Sequence, residues 1–369
     1  MRGKSQALCA FFLAAALVLF LFSGCSKREK TAAGNPQGSG AETASAGGTL
    51  TIFTWAEMFP PEVLKSFEKD TGYKINMVNF DENETMLTKL ETSGGSGYDL
   101  IIADDYIIET VIEKGLAQKL KPDKIPNFGN INPVYQSQFY DPSNEYTIPY
   151  GAGVQTIVYN PGIVNINIQG FTELWDPRLK NNLAVVANPR VVTGMALKTL
   201  GYSYNTEDVG AIREAGSILL SLAPNIRLIR DDKLDDEILS GEVAAALMYT
   251  SDATNAKIEN PGLKVVFPRE GVGFGIMAGF IPSRAANEEA AHAFFTYILD
   301  PQRGAQCFEF LGYYSTYAAS DNLISEKYRE FLTLPEGIGE MEMMDNISPE
   351  AEEAHSIVWT AFKAAAGHK

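Results

Sequence analysis

Cysteine and histidine are scarce in this chain, three of each in 369 residues. Cys9 falls inside an N-terminal apolar run, which leaves Cys25 and Cys307, too few for a disulfide framework. His292, His355 and His368 have no metal-ligand spacing, and no Ser, Cys or His arrangement suggests a nucleophile. Positive charge is short as well: 30 Lys and Arg against 46 Asp and Glu give a net charge of −16. That balance argues against nucleic acid or an anionic membrane surface as a partner and is compatible with a cationic ligand. Two glycine-rich stretches, Gly94-Gly95-Ser96-Gly97 and Gly271-Val272-Gly273-Phe274-Gly275, lack the context of a phosphate loop and read as turns. With no assembled acid, base, metal or cofactor site, the chain reads as a binding protein and not an enzyme.

The N-terminus is informative. Arg2 and Lys4 precede an apolar run from Ala7 to Phe22, shorter than the roughly 20 residues a membrane span needs. It closes on Leu21-Phe22-Ser23-Gly24-Cys25, so residues 1–24 are expected to be a secretory signal peptide. A cysteine after Ser-Gly resembles a bacterial lipobox, with Leu21 one place earlier than the commonest form. Cys25 is therefore the expected lipidation site, the alternative being a simple signal-anchor helix. Residues 26–48 are rich in Lys, Glu, Thr, Ala, Gly and Ser and have almost no apolar bulk, so 25–48 reads as a lipidated cysteine on a flexible tether. The body is expected to be extracytoplasmic and monomeric, held to a membrane by lipid.

About 320 residues remain, too many for one ordinary core, which suggests two domains. From Thr49 apolar strands alternate with amphipathic helices: strands at 49–55, 73–79 and 98–103, with helices at 60–71 and 83–92. A second unit carries strands at 183–187, 226–229, 244–249 and 264–267, and 275–281 leads back to the first. This alternation implies an α/β fold with mostly parallel sheets flanked by helices. We divide it as 49–155 plus about 279–318 for the first lobe, and 156–278 plus about 319–369 for the second.

In open parallel sheets, ligands bind outside the carboxyl ends of the strands. Here those ends carry Trp55 and Glu57, then Asp104, Asp105 and Tyr106, then Asn188, then Asp231 after Arg230, then Tyr249 and Asp252. Each acid taken singly reads as a helix cap or loop carboxylate. Taken together they need another account, because Trp55 and Tyr249 have no reason to end solvated turns. Carboxylates and aromatic faces are what an alkylammonium ligand requires, the first for its charge and the second for its methylenes and cation. The adjacent Tyr313 and Tyr314 leave ferric iron open as an alternative.

Several segments then resemble the periplasmic spermidine/putrescine-binding proteins of polyamine ABC importers. They are Thr54-Trp55-Ala56-Glu57, Asn83-Glu84-Thr85-Met86, Tyr98-Asp99-Leu100-Ile101, Ile148-Pro149-Tyr150, Leu200-Gly201-Tyr202-Ser203 and Gly241-Glu242-Val243. The resemblance implies the two-lobed periplasmic-binding-protein fold with a polyamine in the interlobe cleft and a membrane permease as partner. It implies ligand contacts at Trp55, Glu57, Tyr106, Tyr249 and Tyr313. Asn188, Val191 and Met277 stand where the family has acids, and Gly275 where a large aromatic is common. Asp104 and Asp231 fall on contact positions that are usually neutral, so the negative charge is expected to have moved within the cleft. The remaining alternatives are another solute, such as a basic amino acid, or a sensory or adhesive lipoprotein.

Overall fold

The computed structural model describes residues 47–230, 233–332, 338 and 340–367. The leader over 1–24, Cys25, nearly all of the tether and the candidate site residue Asp231 lie outside the described residues. Among the described residues, no helix is long and apolar enough to cross a membrane.

The first half opens with β1 (Thr49–Thr54), α1 (Pro61–Thr71), β2 (Lys74–Asn79), α2 (Asn83–Thr92), β3 (Leu100–Asp104) and α3 (Asp105–Glu113). Its strands are parallel, in the order β2-β1-β3. Local chemistry sets the helix limits. Pro61 takes the first position of α1, where its missing N–H costs nothing. Gly72, at φ 80°, ends the helix by returning its N–H to the Glu68 carbonyl at 3.0 Å.

The chain then runs through the long β4 (Thr147–Tyr159) into the second half. There follow β5 (Leu183–Val186), α4 (Pro189–Thr199), α5 (Val209–Leu222), β6 (Ile226–Arg230), α6 (Leu234–Ser240), β7 (Ala245–Tyr249), α7 (Thr250–Glu259) and β8 (Lys264–Val266). β9 (Val272–Phe280) returns antiparallel to both β3 and β4. It is followed by α8 (Glu288–Ile298), α9 (Pro301–Leu311) and the short α10 (Glu326–Arg329). β10 (Met341–Met343) pairs with the start of β9, and α11 (Pro349–Ala365) packs on α5 and α4.

The main strand order is β2-β1-β3-β9-β4-β7-β5-β6. β4 belongs to both halves: Thr147 to Val154 pair with β9, and Gln155 to Tyr159 pair with β7. β3 is buried on both faces, as its apolar run requires: Leu100 and Ile102 enter one core, Ile101 and Ala103 another. A third core fills the second half around Leu183, Val185, Leu219 and Leu247.

The structure differs from the sequence reading in instructive places. β4 and β9 run antiparallel to each other and to β7 and β3 on either side, so the parallel strands are interrupted at the centre. The stretch 271–275 is not a turn beyond Gly271 (φ 100°), since Val272 onward is strand. Phe274 to Ala278 pair with β4 and Met277 and Ala278 also with β3, while Ile324 and Leu332 are buried in the core that holds Leu50 and Ile52. Tyr98 precedes β3 and stacks on Phe53, ring centroids 4.1 Å apart.

Candidate functional site

The antiparallel register at the centre decides which residues share a face, because directly opposed residues project to the same side. Asp104 of β3 faces Met277 of β9, which faces Gly151 of β4. Two residues along, Gly275 faces Gly153, and two further along β4, Gln155 faces Tyr249 of β7. One continuous face therefore carries Asp104 at the first-half end and Tyr249 at the second-half end, with glycine between them.

The first-half end is anionic. Asn83, buried at the start of α2, donates from Nδ2 to Asp104 Oδ2 at 2.8 Å and to the Tyr106 hydroxyl at 3.1 Å. Tyr106 in turn donates to Glu84 Oε1 at 3.0 Å. Burial, then the nearby Glu84 and Asp104, holds the Tyr106 hydroxyl well above its ordinary pKa, so it stays a neutral donor. Asp105 turns inward: its Oδ2 accepts from the Ile276 N–H at 2.9 Å, tying the start of α3 to β9. Burial, reinforced by Asp104, pushes its carboxyl well above the usual range. Trp55 is half-buried after β1, its ring 4.7 Å from Phe80, and Asn79 holds its carbonyl at 2.9 Å.

The second-half end carries an amide and a phenol at the ends of β5 and β7, with Asp252 in the first turn of α7. Asn188 caps α4 by accepting from the Val191 N–H at 3.1 Å, while its Nδ2 donates to the Tyr249 hydroxyl at 3.2 Å. Between the two ends lies Tyr313. A Cβ at Gly153 would come within 2.7 Å of its ring, and one at Gly151 within 2.9 Å of the Met277 methyl. Glycine is needed at both positions for the ring and thioether to lie on the strand.

The structure thus brings Asp104, Tyr106, Asn188, Tyr249 and Tyr313 to the junction. Glu57 is exposed in a left-handed backbone conformation (φ 57°) beyond β1, and Val191 is fully buried in the second-half core. The tyrosine pair does not form a chelate: Tyr313 lies on the glycine face, while Tyr314 is 1% exposed in a core on the opposite face of β4 with Ala152 and Val154. Sequence reasoning missed Asn83, whose polar side chain at a helix start reads as a cap; only the fold aims it at Asp104.

Two α/β halves sharing a central pair of strands, with acids on one side of the junction and aromatics across it, define a protein built to hold a small solute. The chain belongs to the bacterial extracellular solute-binding protein family, whose pattern matches residues 62–330. It is 33% identical over 298 residues to the spermidine/putrescine-binding periplasmic protein of Escherichia coli, covering 80% of this chain and 86% of that one. It is 27% identical over 347 residues to the putrescine-binding periplasmic protein SpuD of Pseudomonas aeruginosa, covering 88% and 94%. Among solved structures it is similar to the spermidine/putrescine ABC transporter substrate-binding protein PotD of Streptococcus pneumoniae. There the TM-score is 0.74 at 29% identity, over 86% of this chain and 99% of that one.

Proposed function

We propose that this chain captures a polyamine of the putrescine or spermidine class between two lobes and delivers it to the permease of an ABC importer. It does so as a monomeric binding protein outside the cytoplasm, held to a membrane by lipid on Cys25. The lobes are the two halves, and β4 and β9 form the strap about which they close.

The observation that carries this reading is the single face with Asp104 and its Asn83–Tyr106–Glu84 network at one end and Tyr249 at the other. An ammonium leaving water needs replacement hydrogen bonds and opposite charge, which the first end supplies. The methylenes need apolar cover, which Tyr313 and Tyr249 supply, each good cation–π contact adding about 0.5–2 kcal/mol. Contact with both ends favours the closed arrangement only to the extent that the ligand binds it better.

Thermal unfolding of the full chain against putrescine, spermidine, cadaverine, basic amino acids, ferric iron and sugars tests this. A ligand at a hundredfold its dissociation constant stabilises by about 2.7 kcal/mol. Shifts with polyamines are expected. A shift only with basic amino acids or iron would reassign the solute. No shift, in protein shown free of carried-over ligand, would leave a sensory or adhesive lipoprotein.

A further inference from the structure

β4 pairs with β9 along one edge, and its other edge is covered piecemeal. From Gln155 onward the partner is β7, with Gln155 opposite Tyr249. At Ala152 it is the chain after α9, where the Tyr314 N–H donates to the Ala152 carbonyl at 2.8 Å. Between them, at Val154, the partner is a side chain. The Thr250 hydroxyl accepts from the Val154 N–H at 2.9 Å and donates to the Val154 carbonyl at 3.0 Å. One hydroxyl makes both bonds that a further strand residue would have made.

Thr250 opens α7 directly after Tyr249 and is 4% exposed. A threonine near a helix start ordinarily turns its hydroxyl to its own local backbone. This one reaches a strand 96 residues away in the chain. The arrangement lets β7 stop at Tyr249 and turn at once into a helix, with the buried backbone groups of Val154 still paired. What the clasp holds in place are two aromatic residues of the junction face. Tyr249 is its chain neighbour. Tyr313 lies on its other side: a Cβ on Gly153 would be 2.7 Å from the Tyr313 ring and 3.4 Å from the Thr250 hydroxyl oxygen. The segment that carries Tyr313 rests on the same helical turn, since a Cβ on Gly312 would come within 2.9 Å of the Ser251 carbonyl oxygen.

We infer that Thr250 is a positioning residue for ligand binding: its hydroxyl, clasped on Val154, sets the places of Tyr249 and Tyr313 over the glycine face. It acts through those two rings and not by contact with ligand. This rests on the polyamine reading and extends it to a residue behind the contact surface.

The test is isothermal titration of the full chain, in detergent, with putrescine and with spermidine, for wild type, Thr250→Val, Thr250→Ser and Leu219→Ala. Valine keeps the shape and loses both bonds, so both amines are expected to weaken about tenfold or more. Serine keeps the hydroxyl and is expected to stay within about threefold of wild type. Leu219→Ala opens a cavity in the second-half core. It is expected to lower the ligand-free melting temperature at least as far as Thr250→Val does, yet to leave affinity within about threefold. Wild-type affinity in Thr250→Val, or a loss as large in Thr250→Ser or Leu219→Ala, overturns the inference and leaves the polyamine reading intact. Amide exchange in the wild type gives a check that needs no variant to fold. A clasp that strengthens binding must itself be strengthened by ligand, by the same factor. Exchange of the Val154 N–H is therefore expected to slow about tenfold or more at saturating putrescine, and an unchanged rate overturns the inference. A wild type that binds neither amine overturns the polyamine reading itself, and this inference with it.

Discussion

The two ends of the junction face are built from different chemistry. The first half offers Asp104, Glu84 and a phenol held neutral beside them; the second offers an amide and a phenol joined to each other. Charge acts at a distance and without strict geometry, whereas an amide–phenol pair acts only on contact. The difference teaches an order of events. On the proposed function, a cationic ligand is expected to be held first by the charges of the first half, with the Asn188–Tyr249 pair adding directional contacts on closure.

The most severe way to break this comparison is Asp104→Asn, expected to weaken polyamine binding about a hundredfold by calorimetry, against about tenfold or less for Tyr249→Phe. Equal losses would mean that the two ends share the charge. Asn188→Asp sharpens the same contrast. Asp caps a helix as well as Asn does, so α4 should survive while a carboxylate is added beside Tyr249. Affinity is expected to rise about tenfold at low salt, and the gain to shrink as salt is added.

Acid should also act on the two halves with opposite sign. His355 of α11 is buried in the second half, and burial, helped by Arg190, lowers its pKa to about 4. The unfolded chain binds this proton near pH 6.5, so stability falls as pH drops from 6.5 to 4, by about 3 kcal/mol. Asp105 has the opposite sign. Its raised carboxyl contributes fully below about pH 4, and that contribution is lost as pH rises through its folded pKa. Melting temperatures across pH should lose the acid slope in His355→Phe and flatten toward neutral pH in Asp105→Asn. The smallest effect expected is Gly153→Ala, which pushes the Tyr313 ring off the strand and weakens binding about fivefold, with the loss confined to ligand-bound melting curves.

Much of this architecture was legible in the residues. Asn188 and Tyr249, at the ends of the parallel β5 and β7, do meet, because parallel strands set their carboxyl ends side by side. α2 spans Asn83 to Thr92 as its periodicity implies. What escaped was anything that depended on antiparallel return. Gly273 reads as a turn residue because glycine in a strand has no local signature; its reason is the Gln155 side chain lying on it. Asp105 looked like another cleft acid beside Asp104, yet one residue's difference sends it to the Ile276 amide instead. α4 went unread although Asn188-Pro189 is a cap and first-turn pair, since its residues are nearly all buried and show no polar face.

β4, finally, donates its hydrogen bonds to two sheets in turn, with no loop between Val154 and Gln155. A chain crossing by a slack linker would let each half melt alone. Here fraying on one side removes the template for the other, so the halves should denature together in one calorimetric transition. If the proposed closure bends this strap, it deforms an intact ribbon, and no hydrogen bond of the crossing need be remade on each cycle.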